Sequence, residues 1–161
     1  MNVIMTVRLH MFQWSRLFKR ILVPVDGSKY MEANVGYALE IARKMDSKIT
    51  LIYVVTLQAP VAPELGGASY PDPKPLEEAG LKILETAKNI AKSEGADPET
   101  RLERGYGNAA EQILRIAEQE GSDLIVIGAK GHSLLKRLLV GSVCETVMHY
   151  AACPVLVIHH K

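Results

Sequence analysis

Five short runs with strand patterns, four of them apolar or β-prone and the third weak and polar, alternate with helical patterns, and this alternation limits the possible folds more than any other feature of the chain. The runs span residues 21–25, 49–55, 99–103, 124–127 and 154–159. Between them, apolar residues recur every three or four positions, as on one face of an α-helix. Strands that alternate with helices predict a parallel sheet covered by helices on both faces. Because crossovers in such sheets are right-handed, few topologies remain.

The helical patterns carry their own start and stop signals. Ser28 is the predicted N-cap of the first helix, and Asn108 with Glu111 resembles a capping box for the third. Gly95 and Gly121 are expected to end the second and third helices. The buried stripe of the second helix is predicted to comprise Leu76, Ala79, Ile83, Ala87 and Ile90.

Glycine residues follow the fourth run in a pattern that suits a phosphate site. The spacing is Gly128, two residues, Gly131, nine residues, then Gly141 and Ser142. A glycine at a strand end lets a ligand approach the main chain. Gly-Ser at a helix start offers backbone N–H groups, a hydroxyl and the positive end of the helix dipole. The spacing matches neither a Walker loop nor the dinucleotide fingerprint, and glycine content alone favours a connection without a ligand.

Three stretches together resemble the ATP-binding branch of the universal stress protein family. They are the glycine pattern, residues 21–28 (ILVPVDGS) and residues 154–158 (PVLVI), in the right order and at the right separations. The resemblance implies an open five-stranded parallel sheet of order 3-2-1-4-5, which is Rossmann-like and similar to the adenine nucleotide alpha hydrolases. Because this order reverses between the first and fourth strands, the turn at Asp26 and the loop at Gly128 are expected to meet at the switch point.

The resemblance also implies a site for ATP with Mg²⁺ or Mn²⁺. The expected binding residues are Pro24, Val25, Asp26, Val54, Ile127, Gly128, Gly131, Gly141, Ser142 and Val143. Val54 is expected to face the adenine, and the last four residues to hold the phosphates. Asp26 is the expected metal ligand, although it could instead turn toward a ligand hydroxyl or be a solvated turn residue. Lys130, His132 and Lys136 could supply positive charge to the site, but the family pattern leaves these positions open, and solvated loop residues are the favoured interpretation.

The function implied by the resemblance is that of a cytoplasmic, nucleotide-dependent regulatory protein of the stress response. Residues 154–159 are apolar on both faces at a sheet edge, and the resemblance implies a homodimer in which two such strands pair. No catalytic residues are predicted, because paired carboxylates or a nucleophile with its base do not occur at a recognisable spacing. A slow ATP-hydrolysing or nucleotidyl-transferring enzyme is the alternative, and a flavodoxin-like electron carrier is a weaker one. The stress, the pathway and the partner proteins are not defined by the sequence.

Composition argues against several other classes of protein. The net charge of +1 over 161 residues gives no reason to expect a nucleic-acid partner. No apolar run approaches the roughly 20 residues that span a bilayer, so stable membrane insertion is not expected. Cys144 and Cys153 form neither a metal-ligand spacing nor a disulfide framework, and are predicted to be small buried residues in a reducing cytoplasm.

Two segments lie outside the strand-helix alternation. Residues 1–18 are predicted to be a poorly ordered extension of a universal stress protein domain at 19–161. A membrane-surface segment and a true start at Met11 remain alternatives for this extension. Residues 56–75 hold five of the eight prolines together with two adjacent glycines, and a functional lid and a surface insertion are about equally favoured there.

Overall fold

The described part of the chain, residues 17–57, 72–129 and 141–159 of a computed structural model, contains a five-stranded parallel sheet with helices on both faces. The strands are β1 (Arg20–Pro24), β2 (Lys48–Leu57), β3 (Glu99–Tyr106), β4 (Leu124–Gly128) and β5 (Val155–Ile158). The helices are α1 (Met31–Met45), α2 (Lys74–Ser93), α3 (Ala109–Glu120) and α4 (Ser142–Tyr150). The order β3-β2-β1-β4-β5 confirms the predicted fold class.

Some predictions concern residues outside the described ranges. These residues include 1–16 of the predicted extension and 58–71 of the proline-rich segment. They also include four positions of the glycine loop: Lys130, Gly131, His132 and Lys136. Within the described ranges, no helix is both long and apolar enough to cross a membrane.

Two apolar clusters fill the space on either side of the sheet. Along β1, Ile21 and Val23 belong to the cluster under α1 and α2, whereas Leu22 belongs to the cluster under α3 and α4. All three side chains are almost completely buried. Strands buried on both faces are typical of parallel sheets, and this explains why β1 and β4 are near-continuous apolar runs.

The amino end of β1 is held by the side chain of Asp123, which lies just before β4. Its Oδ2 accepts the N–H of Lys19 at 2.8 Å and its Oδ1 accepts the N–H of Arg20 at 2.9 Å. The ammonium of Lys19 donates to the Met45 carbonyl at the end of α1, and Arg20 Nε donates to the Gly121 carbonyl at the end of α3. Cations interact favourably with the negative ends of helices, so Lys19 and Arg20 at the start of β1 also anchor the C-termini of α1 and α3.

Two predicted local features are wrong. Ser28 does not cap α1, whose N-cap is Tyr30; the Ser28 hydroxyl is buried without a hydrogen-bond partner in the described ranges. The Ser28 N–H instead donates to Asp26 Oδ1 at 3.0 Å, a side-chain turn that delays the start of the helix. Strand β3 is also longer than predicted, because Gly105 and Tyr106 extend the strand instead of turning the chain.

The predicted stripe of α2 is right at Ala87, which is buried, and at Ile83 and Ile90, which are half-buried and pack on the core, but it is wrong at the start of the helix. Leu76 is 51% exposed and Ala79 is exposed, whereas Gly80 is buried. A Cβ at Gly80 would lie 2.6 Å from Tyr53 Cδ1 and 2.7 Å from Leu102 Cδ1, so α2 touches the sheet through a glycine. The buried residues of α2 are Gly80, Leu84, Ala87 and Ala91. Hydrophobic periodicity cannot place a glycine at such a contact, because glycine has no side chain to count.

The Gly80 contact predicts that Gly80→Ala destabilises the fold by about 1–3 kcal/mol, because the added methyl group overpacks a filled site. Gly36→Ala on α1 is the matched control, since a Cβ there meets nothing within 4 Å. That change should stabilise the protein by about 0.5–1 kcal/mol, because alanine favours helix more than glycine does. Chemical denaturation of both variants measures the difference, and equal effects would contradict the packing described here.

Candidate functional site

A crevice opens between β1 and β4 at their carboxyl ends. The two strands pair through Leu22 opposite Ile125. On its other side β1 stays paired with β2 as far as Pro24 opposite Ile52, and the N–H of Val25 still donates to the Ile52 carbonyl at 2.8 Å. The crevice therefore lies at the switch point of the sheet, the place where ligands bind in open α/β proteins.

A cavity of about 270 Å³ lies in this crevice. Nine of the ten predicted binding residues line it: Pro24, Val25, Asp26, Val54, Ile127, Gly128, Gly141, Ser142 and Val143. The tenth, Gly131, lies outside the described residues. The nine come from four separate segments of the chain, and the topology brings them together.

The cavity has chemically different sides. One side, called here the apolar wall, consists of Ile52, Val54, Ile113 and Ile127, which belong to or pack on the cluster under α3 and α4. The opposite side, called here the polar wall, consists of Asp26 and Asn34 from the segment that follows β1 and from α1. Apolar linings with a few placed polar groups are typical of small-molecule sites.

The third side is the start of α4. The Gly141 N–H donates to the Ala129 carbonyl at 2.7 Å, which holds the start of α4 beside the end of β4. Gly141 is the N-cap and no side chain in the described ranges caps this helix. By contrast, α3 is capped by Asn108, whose Oδ1 accepts the Ala110 N–H at 2.9 Å. The first N–H groups of α4, at residues 142–144, therefore remain as donors for an anion.

The backbone angles of Gly128 and Gly141 do not by themselves require glycine. Gly141 has φ −69° and ψ 150°, angles that any residue adopts, and Gly128 is not among the glycines with positive φ. A Cβ at Gly128 would instead lie 2.6 Å from Asn34 Nδ2. Glycine at position 128 therefore leaves room for the amide of Asn34, a residue that the sequence analysis did not single out.

Sequence reasoning also missed several other residues around the cavity. The lining residues that were not predicted are Asn34, Ile52, Tyr53, Ala109, Ile113, Ala129 and Cys144. Asn34 did leave a signal, because it lies on the buried face of α1 between Met31 and Val35. Cys144 was predicted only as a buried residue; burial raises the pKa of its thiol to about 11, so it stays protonated at neutral pH.

A divalent metal site can be judged from the acidic groups of the cavity. Within the described ranges, no group of three or more His, Cys, Asp or Glu side chains could hold a metal ion. Among the described residues that line the cavity, Asp26 is the only one with a carboxylate, and it is half-buried. Mg²⁺ in nucleotide sites often takes only one or two carboxylates in addition to ligand phosphates. Asp26 fits that requirement.

The fold and the cavity together define a doubly wound α/β protein with a cavity at its switch point. The sequence profile of the universal stress protein family matches residues 17–159. The chain is 35% identical over 142 residues to universal stress protein MJ0531 of Methanocaldococcus jannaschii, an alignment that covers 88% of this chain and 82% of the relative. The chain belongs to the universal stress protein family.

Solved structures of the family show the same fold. Universal stress protein UspA from Lactobacillus plantarum superposes with a TM-score of 0.70 at 32% identity, covering 88% of this chain and 97% of that one. A universal stress protein from Archaeoglobus fulgidus in complex with dAMP gives a TM-score of 0.62 at 26% identity, covering 88% and 98%. These similarities agree with the strand order described above.

The contact between Gly128 and Asn34 predicts a coupled effect on stability. Gly128→Ala should cost about 1–3 kcal/mol, because the new methyl group would overlap the Asn34 amide. In an Asn34→Ala background the same substitution should cost much less, since the amide is gone. Chemical denaturation of the two single variants and the double variant gives the coupling energy. Additive effects would show that Gly128 is glycine for another reason.

Proposed function

We propose that this protein is a cytoplasmic regulatory protein that binds ATP in the crevice between β1 and β4. The observation that carries the proposal is the convergence of nine predicted nucleotide-binding residues on one cavity. The dAMP complex of the Archaeoglobus fulgidus relative supports an adenine nucleotide as the ligand. The free cysteines Cys144 and Cys153 agree with a reducing compartment.

Each side of the cavity suits one part of the nucleotide. The apolar wall offers Val54 and its neighbours to the flat face of adenine. The start of α4 offers N–H groups and the positive end of its dipole to the phosphates, with the Ser142 hydroxyl beside them. Asp26 would hold Mg²⁺ or Mn²⁺ together with the phosphates, and the metal would screen their negative charge.

Regulation follows if the ATP-bound and free forms present different surfaces. A ligand shifts a conformational equilibrium only by its difference in affinity for the two states. The start of α4 is the element best placed to produce such a difference, because its donors meet the phosphates directly. Partners that recognise the surface near α4 would then distinguish the two forms.

The first test of the site is Gly141→Val. The side chain would project at the start of α4, where Gly141 lines the cavity, and should displace the phosphates. Because the backbone angles of Gly141 are allowed for valine, the fold should survive. Calorimetry should show loss of ATP binding, with circular dichroism unchanged. Gly36→Val is the matched control, since Gly36 lies away from the cavity and has open space, and it should bind ATP as the parent does.

Two milder substitutions separate the roles of the phosphate and metal contacts. Ser142→Ala should weaken ATP binding by about 1.5–3 kcal/mol, the value of a hydrogen bond to a charged group. Asp26→Asn keeps an oxygen to accept the Ser28 N–H but removes the charge. It should therefore reduce the effect of Mg²⁺ on ATP binding and leave adenosine binding almost intact. An unchanged magnesium dependence would exclude Asp26 as the metal ligand.

We further propose that the protein forms a homodimer through β5. The two edges of the sheet differ in character. At the β3 edge, Arg101 forms ion pairs with Glu103 and Glu120 on the face toward α3, and charged side chains oppose strand addition. At the β5 edge, the residues Val155–Ile158 are all apolar, and three of the four are only half-buried. The apolar edge is the better surface for a second copy.

Hydrogen bonding along β5 gives a way to test the dimer without breaking the monomer. The carbonyls of Pro154 and Ile158 accept the N–H groups of Ile125 and Ala129, at 3.0 and 2.9 Å. Since backbone groups alternate in direction along a strand, those of Val157 point outward. Val157→Pro should therefore remove a bond to the partner copy and leave the intramolecular pairing intact.

Sedimentation velocity at about 50 µM, well above a micromolar dissociation constant, should give a dimer for the parent and a folded monomer for Val157→Pro. Leu156→Pro is the contrasting variant, because the N–H of Leu156 points toward β4, and it should unfold the protein. A monomeric parent, or a dimeric Val157→Pro variant, would contradict pairing through β5.

A further inference from the structure

Asn34 is an unusual residue for its position. Among the residues that the structure describes, Asn34 is the only polar or charged one that is buried, with 4% of its surface exposed. It lies one turn into α1, on the face that also buries Met31, Val35 and Ala38. An apolar residue would pack at this position without the cost of taking an amide out of water. A buried polar group that also lines a cavity suggests a role in binding.

The location of Asn34 restricts which part of a nucleotide it can meet. It lies on the polar wall with Asp26, on the opposite side of the sheet from Ile113 and Val54 of the apolar wall. The base is expected on the apolar wall and the phosphates at the start of α4. The remaining part of a nucleotide is the sugar, whose hydroxyl groups require polar partners.

We propose that Asn34 hydrogen-bonds a ribose hydroxyl of the bound nucleotide and thereby selects ribonucleotides over deoxyribonucleotides. The proposal rests on the proposed function, since it needs an adenine nucleotide in the crevice. It goes further by assigning the sugar contact to a particular side chain. The contact with Gly128 supports it, because a Cβ at that position would come within 2.6 Å of Asn34 Nδ2 and displace the amide.

The amide has enough hydrogen-bonding capacity for this role. Asn34 already has a partner within the protein. A carboxamide offers two N–H donors and two acceptor lone pairs, so it can bind a ligand hydroxyl as well as groups of the protein. A hydroxyl can donate to the amide oxygen or accept from the amide nitrogen. An internal partner would also fix the orientation of the amide, which favours discrimination between sugars.

The experiment compares ATP, 2′-deoxy-ATP and 3′-deoxy-ATP by calorimetry. The parent should bind at least one deoxy analogue about three- to tenfold more weakly than ATP, the effect of losing one neutral hydrogen bond. Asn34→Ala should bind ATP about three- to tenfold more weakly and bind that deoxy analogue as the parent does. The variant should therefore show no preference between the two ligands.

Ile113→Val on the apolar wall is the matched control. It should weaken binding of ATP and of both analogues by the same factor, because it changes a surface that does not meet the sugar. A preference that persists in Asn34→Ala would overturn the proposal. If that variant does not fold, the parent decides: equal affinity for all three nucleotides would also overturn it. A parent that binds none of the three would instead refute the proposed function itself.

Discussion

The geometry of the site depends on the hydrogen bonds that the carboxylate of Asp123 accepts. By accepting the N–H groups of Lys19 and Arg20, it holds the amino ends of β1 and β4 together, and its own N–H donates back to the Arg20 carbonyl at 2.9 Å. β1 and β4 pair as far as Leu22 and Ile125. Beyond that point β1 continues to pair with β2, and β4 continues to pair with β5. Because their amino ends are held together, β1 and β4 separate at their carboxyl ends, where the cavity lies.

This arrangement explains why residues so far apart in sequence share one site. In a sheet of order 3-2-1-4-5, the connections from β1 and from β4 leave in opposite directions and cover opposite faces. The segment after β1 supplies the polar wall with Asp26 and Asn34, and α3 contributes Ile113 to the apolar wall. The start of α4 closes the third side. Each side of the cavity thus comes from a different element and has its own local chemistry.

Most of the fold could be predicted from the sequence, because parallel strands that are buried on both faces consist of continuous apolar runs. The failures have local physical causes. Ser28 was a good candidate N-cap, but the Asp26 side chain captures its N–H in a turn. The start of the α2 stripe was misplaced because a close contact with the sheet is made there by Gly80, which contributes nothing to hydrophobic periodicity.

The cavity was predicted less completely than the fold. Nine predicted residues lie around it, and six of them belong to two of the motifs that carry the family signal. The residues that were missed belong to regular elements, where Ile113 and Tyr53 are typical of core positions and give no separate signal. Asn34 differed, because one polar residue on the buried face of α1 can be noticed in the sequence. Its neighbour Gly128, however, lies 94 positions away, and only the fold shows that the two are in contact.

The pairing of Asn34 with Gly128 also bears on how stability and binding are related in this protein. A glycine within a strand weakens it by about 0.5–1 kcal/mol relative to alanine, and a buried amide loses its contact with water, a cost that its hydrogen bonds must offset. Alanine at position 128 would avoid the first cost, but its Cβ would lie 2.6 Å from Asn34 Nδ2. The glycine and the buried amide therefore occur together, and both line the cavity. Departures from the locally most stable residue are expected at functional sites, because there the choice of residue answers to binding as well as to folding.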